Sequence, residues 1–176
     1  FCRTQFPPAI DGAPGDVVSV FGRLFEEGTT DRTAGTDDQQ YVFAQLGWGG
    51  DDPAAWTWIN AAPNADWQAP QGSGDDEYVA TLALPAEGIY AFGYRFSVDG
   101  GRTWTLCDGD AEGNTDGFDE PGVMLTNAPA DPCEGQCLDA PPAECADANT
   151  ARTFQAPGAC EAVDGQPVCT FEPVDT

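Results

Sequence analysis

The sequence predicts an all-β protein: an antiparallel β-sandwich followed by a small module stapled by disulfides. Short runs rich in Val, Tyr, Phe and Trp recur between clusters of Gly, Pro, Asp and Asn through the first three-quarters of the chain, which is typical of strands joined by turns. Helical periodicity is nowhere sustained over three turns. Five of the seven cysteines follow residue 132, in a segment with too few large apolar residues to form a core of its own.

Seven segments have the composition of strands, which is the number found in a small antiparallel sandwich. The clearest segment, Ile89–Val98, places four aromatic side chains on one face, with Ala91, Gly93 and Arg95 on the other, so the aromatic face is predicted to form the core. The Asp99-Gly100-Gly101 sequence that follows predicts a hairpin turn. The predicted strands are Val17–Phe25, Tyr41–Gly47, Thr57–Ala61, Tyr78–Leu84, Ile89–Val98, Thr103–Cys107 and Gly122–Thr126.

The charge of the chain excludes several classes of partner. Its 176 residues include 30 acidic and six basic side chains, all six of them Arg, which gives a net charge of -24. A nucleic acid partner needs a basic surface, and an anionic membrane surface would repel this chain. Because the chain contains no His, it cannot form a Ser-His-Asp or Cys-His catalytic site or a zinc site with His ligands. The sequence contains no apolar stretch of about 18 residues, so no membrane span is predicted.

The cysteines indicate the compartment and the division of the chain. With abundant Gly, Pro and Asp and no Lys, they are typical of a protein exported to an oxidising environment, and the chain is expected to be a mature fragment. Their spacing does not match the paired CxxC units of a zinc ribbon, so disulfides are expected. The Pro-rich linker NAPADPC places a boundary near residue 128, between a sandwich (residues 1–128) and a cysteine-rich module (residues 129–176). The candidate disulfide cysteines are Cys2, Cys107, Cys133, Cys137, Cys145, Cys160 and Cys169.

Four segments carry a family resemblance, in the order FCRTQFPP, VFGRLFEEGTTD, AQLGWGGDDPAAWTWINAAPN and DDEYVATLALPAEGIYAFGYRFSVDGGRTWTLCD. Over residues 1–126 the chain resembles an immunoglobulin-like module of secreted bacterial proteins, some of which flank polysaccharide-degrading or nuclease domains. The resemblance implies an immunoglobulin-like β-sandwich without known catalytic activity. It also implies a disulfide between Cys2 and Cys107, because cysteines before the Gln-Phe-Pro element and at the end of the Thr-Trp-Thr strand occur together in such modules.

The C-terminal segment is similar to a second recurrent unit, a small, loop-rich module with the pattern C-x3-C-x3-PP-x2-C followed by G-x-C and C-x-F steps. Such units have a further cysteine that this chain lacks, so two internal disulfides are expected, with one thiol left over or paired outside the chain. If another copy beginning FCRTQFPP followed Thr176, its cysteine would have the expected spacing. The chain would then be one repeat of a tandem array in which Cys2 completes the preceding unit, and this alternative competes with the Cys2–Cys107 bond.

The stretch DGDAEGNTDGFD, residues 108–119, matches the ligand spacing of an EF-hand calcium loop. Oxygen-bearing side chains fall at its positions 1, 3, 5, 9 and 12, with Gly at position 6 and a backbone carbonyl at position 7. Position 5 is Glu, position 12 is Asp and no helices flank the loop, so the alternative is an acidic turn held by Cys107. Calcium is the one cofactor that the sequence suggests, with the ligands Asp108, Asp110, Glu112, Asn114, Asp116 and Asp119.

Tryptophans suggest a second kind of site, because flat aromatic rings stack on sugar rings. Trp56 and Trp58 alternate onto one face of a predicted strand, although about two of the five tryptophans are expected in the core. The candidate carbohydrate-binding residues are Trp48, Trp56, Trp58 and Trp67. The Asp75-Asp76-Glu77 cluster is interpreted as a solvated turn before a strand. No pair of carboxylates facing each other across a cleft can be identified, so a glycosidase is not expected.

The sequence favours a non-catalytic extracellular structural or adhesive module, secreted or at the cell surface. It would be one unit of a larger surface protein or fibre, with other copies of itself or extracellular polymers as partners. The alternative is a carbohydrate-binding accessory module of a secreted polysaccharide-degrading enzyme. Coplanar exposed aromatic rings would favour sugar binding, whereas contacts between copies that repeat with a fixed symmetry would favour a fibre.

Overall fold

The structure, a computed structural model, is all-β, as the sequence predicts. It describes residues 1–110, 113–115, 117–127, 133–145 and 151–175, with Cys145 and Asp175 described by their backbones alone. The chain forms two compact units, residues 1–128 and residues 129–176. The helical segments among the described residues are short turns, and none has the length and hydrophobicity that a membrane span needs.

The described part of the first unit is a nearly closed sheet of nine strands. They are β1 (Cys2–Phe6), β2 (Ala9–Gly12), β3 (Val17–Leu24), β4 (Phe43–Gly49), β5 (Thr57–Pro63), β6 (Asp76–Ala83), β7 (Gly88–Ser97), β8 (Thr105–Cys107) and β9 (Gly122–Thr126). Their hydrogen-bonded order is β1-β3-β6-β5-β4-β7-β9-β2, and β8 pairs with β7 beside this path. Because β1 and β2 are consecutive in the chain but lie at opposite ends of the path, the sheet curls until its ends approach each other.

The seven predicted strands are confirmed, and each observed end lies within two residues of the predicted one. Two further strands, β1 and β2, are not predicted by the sequence pattern. Pro7 and Pro8 lie between them, and because proline cannot donate to a ladder, this segment has the composition of a loop. The expectation of a wholly antiparallel sheet is corrected by β2, which pairs with β9 in parallel.

The aromatic face of β7 forms the centre of the core, as its alternation predicts. Phe92, Tyr94 and Phe96 are at most 2% exposed, and they pack in one cluster with apolar side chains of β3, β4, β6 and β9. The rings of Tyr94 and Phe96 stack with centroids 5.7 Å apart, and Tyr78 meets Phe96 edge-on at 5.4 Å. The core therefore lies inside the curled sheet, and the outward-facing residues of the same strands are left for a surface site.

The first strand is fixed to the opposite side of this core. Cys2 is bonded to Cys107, the bond that the resemblance implies, so Cys2 does not complete a preceding repeat as the tandem-array alternative requires. The Thr4 hydroxyl donates to the Cys107 carbonyl oxygen at 2.9 Å and accepts from the Tyr94 backbone N–H at 2.8 Å. The Tyr94 hydroxyl donates in turn to the Val20 carbonyl oxygen on β3 at 2.7 Å. These bonds cross the core and join strands that are not neighbours in the sheet.

The second unit is rich in strands, which corrects the prediction of a loop-rich, strand-poor module. Its described strands, in the order β10-β11-β12, are β10 (Glu144–Cys145), β11 (Ala151–Val163) and β12 (Gln166–Asp175). Asp164 and Gly165 join β11 to β12 with φ angles of 51° and 74°, as a two-residue type I′ hairpin turn requires. Most side chains along both strands are exposed, so the apolar alternation that reveals a half-buried strand is missing here.

Two disulfides hold this small sheet in place of an apolar core. Cys133 is bonded to Cys160 and Cys137 to Cys169, which confirms the expectation of two internal bonds. Cys160 and Cys169 are also cross-strand partners on β11 and β12, so the two bonds fix the hairpin to the segment that precedes it. Cys145, the seventh cysteine, is in none of the three described bonds.

Removing the Tyr94 hydroxyl should destabilise the first unit. Tyr94→Phe leaves the buried Val20 carbonyl without its donor, so the free energy of unfolding should fall by about 1–2 kcal/mol. Tyr78→Phe is the matched control, because Tyr78 is equally buried but its hydroxyl has no hydrogen-bond partner among the described residues. That variant should not lower the free energy of unfolding, because it removes a buried hydroxyl that has no partner among the described residues. Urea denaturation compares the two, and equal losses would contradict the role given to the Tyr94 bond.

Candidate functional site

The four candidate tryptophans do not assemble on one surface, which corrects the predicted sugar platform. Trp56 and Trp58 lie on the outer side of the sheet with ring centroids 5.6 Å apart, but their planes are inclined by 35° and Trp56 is only 6% exposed. Trp48 packs against the core on the other side. Trp67 lies in the loop before β6, where the Arg23 guanidinium carbon is 4.8 Å from its ring centroid.

Two glycines explain how closely the outer tryptophans approach the sheet. A Cβ atom on Gly47 would lie 2.5 Å from the Trp58 ring, and one on Gly49 would lie 2.5 Å from the Trp56 ring. Any larger residue at either position would lift the ring away from β4. The Gly47 and Gly49 positions therefore let both indoles lie flat against the backbone, where they are used for packing within the protein.

Residues that the sequence did not predict as a site complete this outer face. The Arg95 guanidinium carbon lies 4.0 Å from the centroid of the Trp58 ring and 4.5 Å from that of Trp104, so the cation is held between two indoles. Its Nε and Nη2 donate to Gln45 Oε1 at 2.8 and 2.6 Å, and Gln45 Nε2 donates to Asn60 Oδ1 at 2.9 Å. Desolvation lowers the pKa of Arg95, which nevertheless remains charged at neutral pH.

The arrangement follows from cross-strand register. Gln45 pairs with Asn60 on β5 and with Arg95 on β7, so the three side chains project from one side of three adjacent strands. Trp104 immediately precedes β8, which pairs with β7. The predicted hairpin at Asp99 was a signal that Trp104 returns beside β7, but the register that sets it against Arg95 cannot be obtained from the turn sequence alone.

A groove of about 560 Å³ adjoins this row of side chains, at the start of β4 and the end of β5. Phe43 and Trp104 line one part of it beside the turn at Gly101, and Tyr78 lines it from β6. The polar side chains in its lining are Asp38, Gln39, Gln40, Gln45 and Asn60. The groove is a concave feature that brings together polar and aromatic side chains from several strands.

The acidic cluster before Tyr78 is not a solvated turn, because Asp76 and Glu77 are buried in β6. The Asp37 backbone N–H donates to Asp76 Oδ1 at 2.9 Å, and Asp76 Oδ2 has no hydrogen-bond partner among the described residues. Desolvation, with a smaller contribution from the negative charges of Asp37 and Asp75, raises the pKa of Asp76 to about 7. Its side chain has no exposed surface, so it has no direct route for exchanging a proton with a substrate.

The predicted calcium ligands are only partly visible. Glu112 and Asp116 lie outside the described residues. The Asn114 Oδ1 atom accepts from the Cys2 backbone N–H at 2.8 Å, and Asp108 Oδ2 accepts from the Asp119 N–H at 3.4 Å, so these side chains hold the loop to β1 and to itself. Within the part of the chain that the structure describes, no group of three or more His, Cys, Asp or Glu side chains is arranged to hold a metal ion. The calcium site stays a prediction.

Comparison with known proteins adds no assignment. The chain matches no protein-family model, and no curated protein matches its sequence.

Asp76→Asn should change how stability depends on pH. The folded protein holds the Asp76 proton up to about pH 7, whereas an unfolded Asp releases it near pH 4, so burial of this group makes stability fall as the pH rises between these values. Asp76→Asn cannot ionise at this position, so it lacks this loss of stability at higher pH. It should match the wild type near pH 4 and be more stable at pH 8 by at most about 4 kcal/mol, measured by urea denaturation.

Asp99→Asn is a control, because the contribution of Asp99 to stability depends on pH in the opposite direction. The Asp99 carboxylate accepts from Thr103 N–H and Oγ1, from Ser97 Oγ and from Arg102 N–H, and these bonds hold its pKa below the usual range. Its contribution to stability is present above about pH 4 and is lost as the pH falls. The loss of stability that Asp99→Asn causes relative to the wild type should therefore become smaller at acidic pH. Equal offsets of Asp76→Asn from the wild type at pH 4 and pH 8 would contradict a buried, protonated Asp76.

Calcium should raise the melting temperature more than magnesium does at equal ionic strength, because magnesium demands a stricter octahedral geometry. A hundredfold excess of calcium over its dissociation constant would stabilise the protein by about 2.7 kcal/mol. Asp110→Ala should abolish the difference between the ions, and Asp51→Ala, at an exposed carboxylate outside the loop, should not. If calcium, magnesium and matched sodium chloride act alike, the effect is screening of a net charge of -24.

Proposed function

We propose that this chain is a non-catalytic extracellular structural or adhesive module, one unit of a larger surface protein or fibre. The placement of the disulfides supports the proposal. Cys2–Cys107 closes a loop of 105 residues in the first unit, so a pull on the two ends of that unit passes through the bond instead of through the strands inside the loop. A module that carries load between neighbours benefits from such a covalent path.

The second unit has the same property by a different arrangement. Its two bonds overlap, Cys133 with Cys160 and Cys137 with Cys169. A pull applied before Cys133 and after Cys169 passes along the chain from Cys133 to Cys137 and then through the second bond. All of β11 and the part of β12 before Cys169 are therefore shielded from extension, whereas residues 170–175 of β12 lie outside the bond. The residues from 108 to 132, which include β9 of the first unit and the segment that leads to the second unit, are outside every described bond and would carry the load.

The disulfides also support an extracellular location. Disulfides form and persist in oxidising compartments and are rare in the cytosol. A net charge of -24 keeps such a module soluble and repels nucleic acids and anionic surfaces. Together these properties suit a protein secreted or displayed at the cell surface.

We propose further that the first unit is an immunoglobulin-like sandwich. In that fold, strands named A to G in chain order form one sheet with the order ABED and a second with the order CFG. If β1, β3, β4, β5, β6, β7 and β9 are taken as A to G, the observed path β1-β3-β6-β5 followed by β4-β7-β9 has these two orders. Two features depart from the pattern of antibody domains: β5 also pairs with β4, and the disulfide joins Cys2 to Cys107.

Single-molecule pulling on the two ends of the chain tests the load-bearing role. With its disulfides intact, the first unit should lengthen only by residues outside the Cys2–Cys107 loop. Replacing both Cys2 and Cys107 by Ser should add about 350–380 Å of contour length, because the two positions are 105 residue steps apart and each step extends by roughly 3.3–3.6 Å. Cys145→Ser is the control and should leave the contour length unchanged. Release of the full length with the disulfides intact would overturn the proposal.

A further inference from the structure

The groove beside Trp104 has the lining of a site for an uncharged, hydroxyl-rich ligand. Gln39, Gln40, Gln45 and Asn60 contribute neutral amides, each able to donate and to accept hydrogen bonds. The volume of about 560 Å³ is within the range of about 300–1,000 Å³ that is usual for small-molecule sites. We propose that this groove binds a neutral carbohydrate.

Aromatic side chains flank these amides. Trp104 and Phe43 line the same groove, and both meet the Gly101 turn, where a Cβ atom would lie 3.3 Å from the Phe43 ring and 3.9 Å from the Trp104 ring. Phe43 is 45% exposed. An aromatic face beside hydrogen-bonding amides suits a sugar ring, which has apolar C–H faces and a polar equator of hydroxyls.

The polar side of the groove is pre-organised. Arg95 holds Gln45 by two hydrogen bonds, and Gln45 holds Asn60 by a third. The same guanidinium stacks on Trp104. Because these side chains are already fixed by one another, a ligand that binds them loses less conformational entropy than one that must order a flexible surface.

Tyr78 gives a second, independent indication of a ligand. It lines the groove from β6 and is 2% exposed, and its hydroxyl has no hydrogen-bond partner among the described residues. Buried polar atoms in proteins are almost always paired, so the unpaired hydroxyl of a residue that lines the groove indicates a polar partner that the described residues do not supply.

Other classes of occupant fit less well. None of the lining residues, all of which the structure describes, is Arg or Lys, and Asp38 adds a negative charge. The cation beside the groove, Arg95, is already engaged by Gln45 and by two indoles, so an anionic ligand is disfavoured. A peptide bound as an extra strand needs a free strand edge. At the groove, Ala44 and Gln45 of β4 are paired on both sides, with β5 and with β7, so β4 offers no such edge there.

The proposal is tested on the whole chain by calorimetric titration and saturation-transfer NMR. The probes are cellobiose, maltose, lactose and chitobiose, with sodium glucuronate as the anionic comparison. At least one neutral disaccharide should bind, and glucuronate should bind more weakly than any neutral sugar that does. This test does not depend on the load-bearing role, because it measures sugar affinity and not extension.

Two matched pairs of variants locate the site. Trp104→Ala should weaken binding by about tenfold, whereas Trp67→Ala, at a half-buried indole outside the groove, should leave the dissociation constant unchanged. Asn60→Ala should weaken binding by about three- to tenfold, and Asn127→Ala, at an exposed amide on another part of the sheet, should not. The absence of binding by all four disaccharides would overturn the ligand class. Binding that is unaffected by both groove variants would overturn the site.

Discussion

The bond between Cys2 and Cys107 is the constraint on which the geometry of the first unit depends. It joins β1, at one end of the path of strands, to β8, which pairs with β7 towards the other end. The sheet therefore curls, and β2 lies at the far end of the path beside β9. In the chain-entropy model, closing a loop of 105 residues stabilises the fold by roughly 4–5 kcal/mol. Thr4 extends this attachment, because its hydroxyl bonds both to the Cys107 carbonyl and to the Tyr94 N–H.

The attachment of β1 also determines what lies outside the sheet, because side chains alternate along β7. Tyr94 is held inward by its bonds to Thr4 and Val20, and its neighbour Arg95 must then project outward. There it meets Trp58 and Trp104. Gly47 allows Trp58 to lie against β4, so the position of the cation is set by the core on one side and by the flat indoles on the other.

The sequence was sufficient to predict an element when the pattern that identifies it lies within a single segment. The alternation of Tyr90 to Phe96 and the Asp99-Gly turn identify β7 and its hairpin without knowledge of any partner. The groove is different, because Gln45, Asn60 and Arg95 come from three strands and become neighbours only through register, which local patterns do not determine. The burial of Asp76 was missed for the same reason: its carboxylate is enclosed by residues distant in sequence, including Asp37. In the second unit, the Asp164-Gly165 turn was a signal that could have been used, but the exposed strands on either side of it hid the hairpin.

The two proposed properties of the first unit are physically compatible because of where the groove lies in the chain. The residues that line it run from Asp38 to Trp104, so all of them are inside the loop that Cys2 and Cys107 close. A load applied to the ends of the unit passes through the disulfide and does not stretch the strands that form the groove. The hydrogen bonds among Arg95, Gln45 and Asn60 would therefore keep their geometry under tension. A module built in this way can hold a carbohydrate while it transmits force, which is the requirement that adhesion places on a binding site.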